Sequence, residues 1–263
     1  MAPGHEIVTS RANPRAKQLR AAFAGQARLA SGLIAIEGDH LLEEALRSGQ
    51  VLKSIFLSED RTPPANLPRG VEIVVLARDV FASCVETQSP QGIAALLVPP
   101  VGTIEQMLLR TPLLLIAVGL QDPGNLGTLI RSAEAFGATG ILTTPGTVSA
   151  WNQKSIRASA GSVFRVPIVA ATPAVMEIVK QHSIKLLAAV KEDAIAIGTA
   201  DLTGPCALMI GNEGAGLSEG WLAMAHQRIT IPCPGPVESL NAAVAGSLLL
   251  YEASRQRASL IRP

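Results

Sequence analysis

In the second half of the chain, short all-apolar runs alternate with longer segments of helical spacing. "LLLIAVGL", "GILTT", "VFRVPIV", "KLLAAV", "CALMIG" and "RITIP" are compact runs bounded by Gly, Pro or polar residues, the pattern of buried strands. Between the first two, "NLGTLIRSAEAFGA" puts Leu126, Leu129, Ile130, Ala133 and Phe136 on one helical face. "NQKSIRASA", "AVMEIVKQH" and "LSEGWLAMA" predict further helices. The closing "SLNAAVAGSLLLYEASRQRA" spaces Leu240, Ala243, Val244, Ser247, Leu248 and Tyr251 as one apolar face of an amphipathic terminal helix. Strands alternating with helices predict a parallel, doubly wound α/β sheet.

The first hundred residues read as a smaller α/β unit. "NPRAKQLRAAFAGQARLASG" has helix start and stop signals, and "DHLLEEALRSG" is an acid-led helix closed by Gly49. "LIAIEG", "LKSIFLSE", "VEIVVLA" and the end of "SPQGIAALLVPP" read as strands, with "DRTPPANLPRG" as a loop. The double proline and the short helix "TIEQMLLR" mark a boundary between about Val98 and Thr111. The division expected is 1–105 and 106–263.

The chain has 263 residues, 48% apolar and 16% charged, enough to bury a sizeable core and against disorder. The longest apolar run, "PLLLIAVGL", is too short to span a membrane, and "MAPGHEIVTSRANPR" has no signal-peptide core, so a cytoplasmic protein is expected. Cys84, Cys206 and Cys233 form neither a disulfide framework nor a zinc pattern. His5, His40, His182 and His226 have no ligand spacing, and no metal is expected. Net charge is +1, so no global basic field exists. Arg11, Arg15, Lys17 and Arg20 do cluster, either as a solvated helix face or as a phosphate-contacting arm. Aromatics are only 3%, which leaves little for base stacking.

"GNEGAG" at 211–216 follows an apolar run late in the chain. Its G-x-x-G-x-G spacing fits neither the dinucleotide fingerprint nor a P-loop, which disfavours a nicotinamide enzyme. The glycines imply close backbone approach, to a ligand or to another chain segment. Two further stretches share its texture of strand, Gly/Pro/Asn loop and helix: "LQDPGNLGTLIRSAEAFGATGI" and "IPCPGPVESLNAAVAGSLLLYE". Three such loops at C-terminal strand ends would converge on one sheet edge, where open α/β folds bind ligands.

In order, "DPGNLGTLIRSAEAFG", "MIGNEGAGLS" and "IPCPGPVESLNAAVAGSLLLYE" resemble the three motifs of the SpoU (TrmH-like) RNA ribose methyltransferases of the SPOUT superfamily. "KSIRASAGSVFRVPI" is similar to that family too. "SRANPRAKQLR", "IEGDHLLEEAL" and "SPQGIAALL" resemble the ribosomal-protein-like substrate-binding domain often fused to it.

The resemblance implies a deep trefoil knot in the C-terminal domain, S-adenosylmethionine as cofactor and a homodimer formed through the knotted domain. The reaction implied is methyl transfer to a ribose 2′-hydroxyl, in ribosomal RNA because of the fused domain. Transfer RNA, or RNA binding without turnover, are the alternatives. Gly211, Ile231 and Leu240, with Asn212, Gly214 and Pro232 beside them, are the implied cofactor contacts. Arg131 matches the catalytic arginine; its other reading is a surface salt bridge with Glu134. Asn125, Glu213, Ser239 and Asn241 match the remaining polar positions. Asn125 and Ser239 could instead cap helices, and Glu213 could accept the hydroxyl proton or hold Arg131. Lys154 and Arg157 would extend an RNA-facing basic patch shared across the dimer.

Overall fold

The computed structural model describes residues 6–25, 32–237 and 239–259, so His5 and the segment "QARLAS" of the first expected helix lie outside the described residues. Two compact units are present: the described residues up to Pro100 with Trp151–Phe164, and Val101–Ala150 with the described residues from Arg165 on.

The first unit holds strands β1 (Ile7–Val8), β2 (Ile34–Glu37), β3 (Leu52–Ser58), β4 (Glu72–Leu76) and β5 (Ile93–Leu97) in the order β1-β4-β3-β5-β2. β1, β4 and β3 run parallel, while β5 is antiparallel to β3 and β2. Helices α1 (Pro14–Phe23), α2 (Asp39–Arg47) and α3 (Arg78–Ala82) accompany them. Asn13 caps α1 and Pro14 starts it. Its Ala16, Leu19 and Phe23 pack with Phe56, Leu76 and Phe81 in one core.

The second unit begins with α4 (Ile104–Met107), closed by a reciprocal Thr103–Gln106 capping box. Its strands are β6 (Leu113–Ala117), β7 (Gly140–Thr143), β8 (Ile168–Ala170), β9 (Lys185–Ala189), β10 (Ile195–Ala196), β11 (Cys206–Ile210) and β12 (Gln227–Thr230). All seven pair in parallel, in the order β10-β12-β9-β11-β6-β7-β8. Every residue of β6 and β11 is buried, as a sheet covered on both faces requires. The helices are α5 (Pro123–Ala135), α6 (Gln153–Ser159, within the first compact unit), α7 (Pro173–Gln181), α8 (Glu219–Met224) and α9 (Ala242–Ser259).

Strand order positions the site. From β6 the chain steps outward through β7 and β8, then returns to β9 on the other side, and β11 inserts between β9 and β6. β6 and β11 therefore flank the switch point, the position in the sheet at whose C-terminal strand ends open α/β folds place their sites. After β12 the chain travels back to deliver α9 against α5 and β11. The parallel seven-stranded sheet after a smaller α/β unit is the architecture the motifs imply.

Two expected elements differ. "VFRVPIV" is a 3-10 turn at Ser162–Phe164 followed by the short β8, not one strand. The left-handed Ala160 and Gly161 end α6 in a tight turn, and Pro167 has no N–H for a ladder, so pairing with β7 starts only at Ile168. The terminal helix buries Ala242, Ala243, Gly246, Leu249, Leu250 and Ala253, a face that shares only Ala243 with the one expected. Val244, Leu248 and Tyr251 stay 48%, 42% and 51% exposed. The small Gly246 sets this rotation, because a Cβ there would stand 2.4 Å from Leu129 Cδ2 on α5. Small residues bring the two backbones close, and the larger apolar side chains are left on a second face.

Candidate active site

The loop after β11 is built on itself. A Cβ at Gly211 would lie 2.2 Å from the carbonyl carbon of Gly216 and 2.5 Å from the amide of Leu217. Asn212 and Gly216 exchange main-chain hydrogen bonds of 3.1 and 2.9 Å across this turn, and Gly216 takes φ +68°. The close approach of the glycines is thus to their own chain. Gly214 is less constrained, its nearest neighbour being Asn212 Oδ1 at 3.5 Å. The Asn212 side chain holds the turn: Oδ1 accepts from the amides of Gly214 (2.9 Å) and Ala215 (3.1 Å). Its Nδ2 donates to Gly119 O at 2.9 Å, fastening this loop to the loop after β6.

The same two loops meet again through Glu213. Its carboxylate accepts from Asn125 Nδ2 at 2.9 Å and from the amides of Gln121 and Asp122, each at 3.4 Å. Asn125 Oδ1 in turn accepts from Asn241 Nδ2 at 3.0 Å. One side chain from each of the three Gly/Pro/Asn stretches therefore joins in the chain Glu213–Asn125–Asn241. Asp122, not Asn125, caps α5, its Oδ1 accepting from the Asn125 amide. Asn241, not Ser239, caps α9, its Oδ1 accepting from the amides of Ala243 (2.9 Å) and Val244 (3.2 Å). Ser239 is exposed in the same loop.

Arg131 lies two turns along α5 from Asn125, on an exposed strip with Thr128 and Ala135. Among the described residues nothing pairs with its guanidinium. The expected partner Glu134 is taken by Arg165, which forks onto both carboxylate oxygens, with Nη2–Oε2 at 2.9 Å. α9 fixes α5 from the other side, through Ser132 Oγ···Ser247 Oγ at 2.6 Å and an edge-on Phe136–Tyr251 contact at 5.7 Å.

Partial burial pushes the Glu213 carboxyl up, yet the hydrogen bonds from Asn125 and the nearby amides outweigh it and hold the group below its ordinary 4.5. A general base needs the opposite shift. Glu213 does not hold Arg131 either; it holds Asn125. Because the folded-state value is depressed, this carboxylate contributes stability above pH 4.5 and loses that contribution as pH falls through the folded value. Turnover measured from pH 6 to 9 is therefore expected to show no inflection from Glu213, and Glu213→Gln should leave the shape of that profile unchanged. An inflection in that window that vanishes in the variant would contradict this.

The segment the resemblance assigns to the cofactor carries main-chain donors and apolar surface. Among the described residues, the main-chain N–H groups of Cys233, Gly235, Val237, Ser239 and Leu240 have no protein acceptor. Ile231 and Leu240 are part-exposed and Pro232 is exposed, so this segment offers apolar surface together with free main-chain donors. No phosphate-binding helix start with a P-loop lysine is present.

A family model described as the SpoU rRNA Methylase family matches residues 112–251. The chain belongs to this family. A second model, the MRM3-like substrate binding domain, matches residues 13–95. The chain is 33% identical over 245 residues to the 23S rRNA (guanosine(2553)-2'-O)-methyltransferase of Bacillus subtilis, covering 93% of this chain and 97% of that protein. It is 30% identical to the 23S rRNA (uridine(2479)-2'-O)-methyltransferase of Streptomyces viridochromogenes, covering 98% and 94%. The crystal structure of the SpoU methyltransferase AviRb from the same organism, in complex with AdoMet, superposes with a TM-score of 0.85 at 29% identity, covering 94% and 99% of the two chains.

The remaining expected contacts of this SpoU chain divide. Arg11 pairs with Asp79 at 3.4 Å, and Arg15 grips Glu72, Nη2 lying 2.6 Å from Oε2. Arg20 donates to Ser83 O and Oγ, both at 3.1 Å. Of that basic cluster only Lys17 is exposed and without a partner among the described residues. Lys154 and Arg157 are exposed on α6. Sequence reasoning missed Thr144 and Thr147, whose hydroxyls accept from the Gly119 amide at 3.0 and 3.1 Å and so set the loop after β6. Their signal was the polar "TTPGT" directly after a strand. Among the described residues no group of three or more His, Cys, Asp or Glu could hold a metal, and no helix is long and apolar enough to cross a membrane.

Proposed function

We propose that the chain is an S-adenosylmethionine-dependent RNA methyltransferase acting on a ribose 2′-hydroxyl of large-subunit ribosomal RNA, in the cytoplasm. The observation that carries this reading is the linkage Glu213–Asn125–Asn241, which joins the three family motifs beside an unpaired Arg131. S-adenosylmethionine, when bound, supplies an electrophilic sulfonium methyl group. The unpaired amides of Cys233, Gly235, Val237, Ser239 and Leu240 and the apolar Ile231 and Leu240 side chains would hold it, with the loop closed by Gly211 and Asn212 as a wall.

Little covalent chemistry is asked of the protein, so positioning dominates. The Arg131 guanidinium stays protonated at neutral pH and so is not a proton acceptor. It orients an RNA phosphate by its planar fork and stabilises the negative charge left on the ribose oxygen as the hydroxyl proton passes to bulk water. Asn125, held by Glu213 and Asn241, fixes the start of the helix that carries Arg131. Ser239, exposed at the mouth, contacts the target nucleotide. Residues 1–105 recognise the RNA, with Lys17 as the unpaired cation of the Arg11–Arg20 cluster among the described residues, and Lys154 and Arg157 extend the basic surface. Residues 106–263 carry the transfer.

The exposed Val244, Leu248 and Tyr251 stripe is the surface through which two copies associate, since a soluble chain seldom leaves three large apolar side chains aligned in water. Leu248→Asp is expected to convert a dimer to a monomer in light scattering. A wild-type monomer at micromolar concentration would contradict this.

Mapping ribose methylation across ribosomal RNA from cells with and without the protein tests the function. Loss of a methyl mark at a large-subunit ribose is expected. An unchanged ribosomal map with a lost mark in transfer RNA would move the substrate, and no change in either would overturn the reading.

A further inference from the structure

Arg131 has a carboxylate within reach on its own helix. Glu134 stands three residues on, the spacing at which helical side chains of opposite charge pair. An arginine so paired is partly neutralised and must break that pair before it can grip a phosphate. In the structure the pair does not form. Arg165 enters from the connection between the Ser162–Phe164 turn and β8 and forks onto both oxygens of Glu134. The Arg165 and Glu134 side chains are 28% and 34% exposed, so this bridge is partly withdrawn from water while Arg131 faces it.

We infer that Arg165 is a positioning residue for the methyl-transfer site: by occupying the Glu134 carboxylate it keeps the neighbouring Arg131 guanidinium free for RNA. The inference rests on the role given to Arg131 above. Arg165 touches neither RNA nor cofactor in this account and acts only through Glu134. A guanidinium suits the task because its fork engages both carboxylate oxygens at once and neutralises the charge that would otherwise draw Arg131.

Three variants lack the bridge, but only one leaves a carboxylate free. Arg165→Gln releases Glu134 to Arg131 and is expected to lower kcat/KM for RNA by about two- to fivefold, the range of a helix-surface ion pair. Glu134→Gln should retain wild-type turnover. The double variant Arg165→Gln/Glu134→Gln should also return to the wild-type value, although its bridge is still missing. A merely structural bridge predicts the reverse, with all three impaired and the double variant no better. Thermal melting accompanies each assay. Should Arg165→Gln not fold, Arg165→Lys, which keeps a cation on Glu134, must match wild type together with Glu134→Gln. Failure of the double variant to recover, or an Arg165→Lys as impaired as Arg131→Ala, overturns the inference. Arg131→Ala run in parallel separates the two levels. If Arg131→Ala still turns over, the Arg131 assignment itself fails. If it is inert while Arg165→Gln is undiminished, only the role of Arg165 fails.

Discussion

Arg131→Ala is expected to lower the rate of ribose methylation by about 10²–10³-fold, a loss of about 3–4 kcal/mol of transition-state stabilisation. The melting temperature should barely move. The side chain is exposed and has no partner among the described residues, and surface changes of that kind stay within about 0.5 kcal/mol of wild-type stability. Calorimetric binding of S-adenosylmethionine should survive, because the groups assigned to the cofactor belong to the loops after β11 and β12. Arg131→Lys should recover only part of the activity, since an ammonium keeps the charge but loses the fork. Retained turnover in the alanine variant would remove Arg131 from the reaction.

Gly211→Ala should have the next largest effect, through a different route. The new methyl would meet main-chain atoms of Gly216 and Leu217 at 2.2–2.5 Å, and backbone cannot rotate away as a side chain can. The turn must open, at a cost of about 1–3 kcal/mol. Opening displaces Asn212 from Gly119 and Glu213 from Asn125, so both fastenings between the β6 and β11 loops weaken together. Cofactor affinity is expected to fall at least tenfold in calorimetry while the rest of the fold persists. Gly214→Ala is the control: its Cβ would find only Asn212 Oδ1 at 3.5 Å, an ordinary contact, and binding should be close to wild type. Equal behaviour of the two variants would show that loop closure is not what Gly211 provides.

Much of this site was legible because its signals are local. Apolar runs such as β6 and β11, bounded by Gly, Pro or polar residues, read as strands covered on both faces. The parallel sheet and the convergence of three loops followed from strand–loop–helix order. Facts that depend on contacts between distant segments were not legible. Spacing allows Val244, Leu248 and Tyr251 as the buried face of α9. What rotates the helix is the fit of Gly246 against Leu129, 117 positions earlier, and no helical period reports that. Likewise Asn125 and Ser239 are reasonable caps by type, and Glu134 a reasonable partner for Arg131 by spacing. Asp122 and Asn241, two or three residues away, make the caps instead, and Arg165, 31 positions on, takes the place of Arg131 on Glu134. The basic run Arg11 to Arg20 shows the same limit: three of its four cations are spent on partners in the strands and helices of their own unit, which a count of charges cannot see.

The most direct test of the central claim uses the chemistry of the product. A ribose methylated at its 2′-oxygen cannot assist cleavage of the adjoining phosphodiester, so that linkage resists alkali. Purified protein, S-adenosylmethionine labelled on the transferable methyl and unmodified 23S ribosomal RNA are incubated, and the RNA is then hydrolysed in alkali. The account predicts label in an alkali-resistant dinucleotide. Label recovered only in mononucleotides, or none transferred, would contradict it.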